Sequence, residues 1–144
     1  MKHAVTFDVD APPDRVWSVI SDVEHWPDWT ASIRQVRLLD GGPLRIGSTA
    51  RVEQPKLPPA VWEVVSIEDT AQYHDFTWKA GAPGMRSVAS HTVVPRPDGG
   101  STVTLSIETT GLVGWLVSPL FRGITHRYVA MEAAGLKATT ERAA

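Results

Sequence analysis

The chain has 144 residues, 42% of them hydrophobic, a formal charge of −2 and no cysteine. That length suits one domain with one core, the charge argues against nucleic acid as a partner, and the missing thiols exclude disulfides, thiolate catalysis and thiolate metal ligands. No apolar run approaches the roughly 18 residues of a membrane span, and the start MKHAVTFDVD lacks the basic-then-apolar order of a signal peptide, so the expectation is a soluble, cytoplasmic protein without membrane insertion.

The spacing predicts a strand over His3 to Asp10, where Val5, Phe7 and Val9 alternate with polar residues. Ala11-Pro12-Pro13-Asp14 ends it and starts a short helix with Val16, Trp17 and Ile20 on one face, closed by Ser21-Asp22. Val23 to Thr30 packs two tryptophans around Pro27 and reads as a second short helix or tight turn. Alternation resumes over Ile33 to Leu39, and Asp40-Gly41-Gly42-Pro43 marks a turn.

From Gly47 to Gln54, Ser48, Ala50 and Val52 share one strand face, and Thr49, Arg51 and Glu53 share the wet one. A rigid Pro55-Lys56-Leu57-Pro58-Pro59 connection leads to a strand over Val61 to Glu68, with Trp62, Val64 and Ser66 opposite Glu63, Val65 and Ile67. Gln72 to Lys79 carries Phe76 and Trp78 on one face before Gly81-Ala82-Pro83-Gly84 interrupts it. Met85 to Arg96 and Ser101 to Thr110 form a hairpin around Pro97-Asp98-Gly99-Gly100. Its second strand turns Val103, Leu105 and Ile107 to the core. In the first, either Ser90, Thr92 and Val94 or Ala89, His91 and Val93 share that face, because a one-residue slip exchanges the two sets.

The last element is a long amphipathic helix over Leu112 to Leu136, roughly 38 Å at the standard rise. Val113, Leu116, Val117, Leu120, Phe121, Ile124, Met131 and Leu136 form its apolar side, and Arg122, His126, Arg127 and Glu132 its polar side. Pro119 predicts a break, with Ser118 capping the main helix, and Lys137 to Ala144 reads as a frayed polar tail. One strand, two short helices, six strands and a long helix predict an α+β protein with a seven-stranded antiparallel sheet.

In that order the chain resembles the START-like superfamily, also called SRPBCC, and within it the bacterial polyketide cyclase/dehydrase and lipid-transport group. The resemblance is carried by Ala11-Pro12-Pro13-Asp14-Arg15-Val16-Trp17, Asp22-Val23-Glu24-His25-Trp26-Pro27-Asp28-Trp29, Gly99-Gly100-Ser101-Thr102-Val103 and the terminal helix. It implies a helix-grip fold, a curved sheet wrapped around the C-terminal helix with a mostly apolar cavity between them. Members include lipid and hormone carriers and aromatase/cyclases, so the fold does not fix the function.

On that architecture the expected cavity wall is Trp62, Phe76 and Trp78 from the sheet and Leu120, Ile124 and Tyr128 from the helix, with Trp29 at the mouth. Plain core packing is the competing reading for each. His91 and Tyr128 are the candidate catalytic residues, His91 if it faces inward. His25, His74 and His126 lack the spacing of a metal site, and no nucleotide, phosphate or nucleophile-elbow motif occurs, so neither metal nor cofactor is expected. The leading expectation is a monomer or homodimer that binds a small hydrophobic ligand, lipid-like or aromatic and polyketide-like. The alternatives are a cofactor-independent cyclase, aromatase or dehydratase using His91 and Tyr128, with Arg51 or Glu53 assisting if they face the cavity, and a regulatory or protein-interaction module.

Overall fold

The computed structural model describes residues 1–142. Seven strands form one antiparallel sheet: β1 (Lys2–Val9), β2 (Gln35–Leu38), β3 (Thr49–Glu53), β4 (Ala60–Thr70), β5 (Tyr73–Ala82), β6 (Met85–Pro95) and β7 (Ser101–Thr110). Their order across the sheet is β1-β7-β6-β5-β4-β3-β2. The curved sheet and the long helix α2 (Leu112–Arg142) give the α+β helix-grip architecture. The chain crosses from edge strand β1 to edge strand β2 through α1 (Pro13–Ser21) and a 3₁₀ turn, Val23–Asp28. Pro13 opens α1, where a missing N–H costs nothing, and Val16 and Ile20 bury its inner face.

Period-two alternation sets the concave face. Val52, Val64, Phe76, Trp78, Ala89, His91, Val93, Val103 and Leu105 are buried there. The β6–β7 register pairs His91 with Leu105 and Val93 with Val103, which turns Ala89, His91 and Val93 inward.

Two strand expectations are corrected. A bulge between Val64 and Ser66 shifts the β4–β5 register, so Ile67 packs on the core beside Trp62 and Val64 and Val65 stays outside; one extra residue exchanges every later side chain between faces. Gly81 and Ala82 do not interrupt β5. The strand runs to Ala82, which pairs with Met85, and the turn is Pro83-Gly84 alone, with Gly84 at φ 77° as a proline-led turn with a left-handed second residue requires.

The helix is also corrected. α2 is continuous for 31 residues with Pro119 inside it, and Ser118 is a buried interior residue without a capping role. The start is fixed upstream. Gly111, at φ 99°, packs against the backbone of Gly84 so closely that no side chain fits. The carbonyl of Gly84 accepts from the amides of Val113 at 2.9 Å and Gly114 at 3.3 Å, which satisfies first-turn donors without a side-chain cap.

Nor does the helix fray after Leu136. Leu136 and Thr140 are fully buried, Lys137 Nζ donates to the Asp8 carbonyl at 2.9 Å, and the Asp10 amide donates to Glu141 Oε2 at 2.8 Å. Only 143–144 of the expected tail lie outside the described residues.

Candidate functional site

A cavity of about 110 Å³, partly open to solvent, lies between the concave sheet and the middle of α2. Its apolar wall comes from Trp26 of the 3₁₀ turn, Ile33, Val52, Leu57, Trp62, Trp78, Ala89, Leu105 and Ile107. Thr125, Tyr128, Val129 and Glu132 supply the helix wall, the i, i+3, i+4, i+7 set of one helical face. Trp62 and Trp78 pack with ring centroids 5.6 Å apart, and Trp26 meets Trp78 edge-on at 5.3 Å, so three indoles brace one another around the cavity.

The ionisable lining is sparse. His91 is buried and stacked on Phe76, and its Nδ1 donates to the Phe76 carbonyl at 3.2 Å. A carbonyl only accepts, so Nδ1 carries the proton and Nε2 is the acceptor of a neutral ring. Burial pulls the pKa down to about 4. Burial also pushes the Glu132 carboxyl up to about 7, which leaves it a proton donor through the mildly acidic range. Tyr128 donates its hydroxyl to the Pro55 carbonyl and so ties α2 to the β3–β4 connection. Among the described residues no lysine, arginine or aspartate lines the cavity, and no cluster of three or more His, Cys, Asp or Glu side chains is placed to hold a metal ion.

The structure brings Trp62, Trp78, His91 and Tyr128 together on this cavity. Phe76 lies behind the wall, fully buried under Trp17, Trp26 and His91. Trp29 packs beneath the C-terminal half of α2, where its carbonyl crowds Gly135, and not at the mouth. Leu120 and Ile124 do not line the cavity either: Leu120 points to solvent and Ile124 is half-buried, because the inward face of α2 at this level runs through Ser118 and Thr125. Arg51 and Glu53 pair with each other at 3.2 Å on the wet side of β3, opposite the buried Ala50 and Val52.

Glu132 is the residue that sequence reasoning misassigned, grouping it with Arg122, His126 and Arg127. Its helical offsets from Thr125, Tyr128 and Val129 carried the signal. Trp26 and Gln54 were also missed, since both come from irregular segments without a face to count.

The family model described as polyketide cyclase / dehydrase and lipid transport matches residues 2–141. No curated protein sequence matches the chain. Among solved structures, a hypothetical protein from Helicobacter pylori superposes with a TM-score of 0.81 at 13% identity, covering 96% of this chain and 86% of that one. A START superfamily protein from Mycobacterium smegmatis gives 0.76 at 16% identity over 99% of both chains. The Zhui aromatase/cyclase from Streptomyces sp. R1128 gives 0.77 at 16% identity, covering 99% and 94%. At these identities the likeness is one of fold.

Proposed function

The chain belongs to the polyketide cyclase / dehydrase and lipid transport family, and from that premise we propose that it binds a small, uncharged hydrophobic molecule in the cavity under α2. One observation carries this reading. The cavity is walled by Trp26 and Trp62, each packed on Trp78, and among the described residues its lining holds a single carboxyl group and no lysine or arginine. A fatty acid or phosphate ester would bury its anion without a partner, at a cost of several kcal/mol. A neutral ligand with one acceptor oxygen instead takes the proton that Glu132 carries below its raised pKa.

Size narrows the class further. An engineered apolar cavity of about 150 Å³ holds benzene, so about 110 Å³ suits one ring or a short branched chain. A longer molecule has to use the open side of the cavity.

The test is a titration with small aromatic ketones and phenols, followed by two-dimensional NMR and melting temperature, alongside an Ala89→Leu variant that fills the cavity. Shifts confined to cavity residues, absent in Ala89→Leu, support the reading. No shift with any probe at millimolar concentration, or equal shifts in the filled variant, sinks it.

A second reading is a cofactor-independent cyclase, aromatase or dehydratase, and the facing of His91 and Glu132 onto one cavity favours it. Removing a proton beside a carbonyl requires an acceptor at carbon and a donor at oxygen, the roles of His91 Nε2 and Glu132. It predicts that His91→Ala stops turnover of a cyclisable ketone and leaves its affinity nearly unchanged. Loss of affinity in step with turnover would count against it.

A further inference from the structure

The outward face of the first half of α2 is not that of a helix that merely covers a sheet. Leu112, Trp115, Leu116 and Leu120 are 72%, 71%, 61% and 76% exposed. At 100° per residue they fall in one stripe, opposite the buried Gly114 and Ser118. A large contiguous apolar patch in water marks an interaction site.

Charge indicates the kind of partner. The chain has no acidic residue between Glu108 and Glu132, and the exposed Arg122 and Arg127 follow directly, while His126 stacks on His3 of β1 with ring centroids 3.8 Å apart. Glu108, the nearest carboxylate in sequence, lies 3.8 Å from Lys2. The patch is therefore apolar, with two arginines on its C-terminal side. A second copy of the chain placed here would set these cations against their own kind, which is unfavourable. An anionic bilayer accepts both features: leucine and tryptophan enter the boundary between headgroups and acyl chains, and arginine meets the phosphates.

We propose that the first half of α2 is a docking face for an anionic phospholipid surface, with Leu112, Trp115, Leu116 and Leu120 entering the boundary and Arg122 and Arg127 binding phosphate. The contact is adsorption, since no helix among the described residues is long and apolar enough to cross a membrane. It is independent of what the cavity holds.

The chain has no cysteine, so Leu116→Cys gives one attachment site for an environment-sensitive dye. The labelled protein is mixed with vesicles of phosphatidylcholine containing phosphatidylglycerol, and with vesicles of phosphatidylcholine alone. The expected result is cosedimentation and a blue shift with the mixed vesicles, weakened by salt and by omission of the anionic lipid. In the same protein, Trp115→Ala combined with Leu120→Ala lowers vesicle affinity about tenfold. Arg122→Glu lowers it about fivefold or more. These side chains are exposed, so an unchanged circular dichroism spectrum accompanies each loss. Three outcomes overturn the proposal: no cosedimentation with mixed vesicles, undiminished binding by the variants, or a dye shift that follows protein concentration without vesicles and coincides with a dimer in sedimentation equilibrium.

Discussion

The imidazole of His91 lies flat on the ring of Phe76, with centroids 4.2 Å apart and planes at 15°, while its Nδ1 donates to the carbonyl of the same residue. Backbone and side chain of one residue thus fix both the tilt and the tautomer of the ring. This is the kind of support that holds a histidine neutral and aimed, and the cavity has a second ionisable wall in Glu132.

The two groups make stability depend on pH in opposite senses. His91 has a folded pKa of about 4 against 6.5 unfolded, so its contribution is present above 6.5 and is lost as pH falls through 4. Glu132 has a folded pKa of about 7 against 4.5, so its contribution is present below 4.5 and is lost as pH rises through 7. Between those limits the two slopes oppose each other. Glu132→Gln removes the falling one, so stability relative to the parent protein rises with pH across this window by about 2 kcal/mol, after allowance for solvent reaching a half-buried group. His91→Asn gives the opposite slope. Urea midpoints at a series of pH values decide it, and difference profiles flat in both variants would refute the assignment.

On the proposed mode of binding, ligand affinity is expected to follow the same carboxyl group. A neutral ketone that accepts from Glu132 binds more weakly as pH rises past 7, and Glu132→Gln, which keeps a donor, makes its affinity independent of pH. Glu132→Leu removes the donor and costs about tenfold. Calorimetric titrations at pH 6 and 8 measure this. Equal affinities in the parent protein at both values would place the ligand's oxygen elsewhere.

Tyr128 works through its bond to Pro55. Tyr128→Phe keeps the ring on the cavity and removes the hydroxyl, which leaves a half-buried carbonyl without that donor and costs about 1 kcal/mol. Equilibrium unfolding reads the loss. A variant as stable as the parent would mean that water replaces the phenol.

Gly135 is where α2 approaches the 3₁₀ region most closely. A Cβ there meets the carbonyl of Trp29, and the backbone carbonyl cannot swing aside as a side chain end does. Gly135→Ala is therefore expected to destabilise the protein by about 1–3 kcal/mol, although alanine favours a helix more than glycine does. An increase in melting temperature would show that the helix slides to make room.

Sequence periodicity resolved the strands and the long helix because each has one wet and one dry face. It failed where the cause was not periodic. The bulge at Val64–Ser66 arises from pairing between strands, and nothing local to β4 announces that Ile67 turns inward. The inward facing of His91 waits on the β6–β7 register. Tyr128 was legible at the border of an apolar stripe, but Leu120 was misjudged because the stripe was assumed to be buried along its whole length. Only the middle of α2, from Thr125 to Glu132, has its inner face over the cavity. Glu132 was hidden by its chemistry, since a carboxylate reads as outward until burial turns it into a neutral acid.

The start of α2 is the other place where local rules lost to tertiary contact, and it gives the last prediction. Proline in a helix interior removes the bond to the carbonyl four residues back, here Trp115, and crowds that turn; the intrinsic penalty is about 3 kcal/mol relative to alanine. A free helix would begin at Ser118. This one begins at Leu112 because Gly84 accepts from its first amides and Gly111 fits against the hairpin. Pro119 is exposed, so water reaches the unpaired carbonyl and part of the penalty is relieved. Pro119→Ala is then expected to stabilise the protein by about 1 kcal/mol, a rise of about 2–4 °C in melting temperature for a chain of this size. The same substitution leaves the flanking leucines and Trp115 in place, so vesicle binding should change little. A lower melting temperature would mean that the rigidity of proline in the unfolded chain outweighs the helical bond it forfeits.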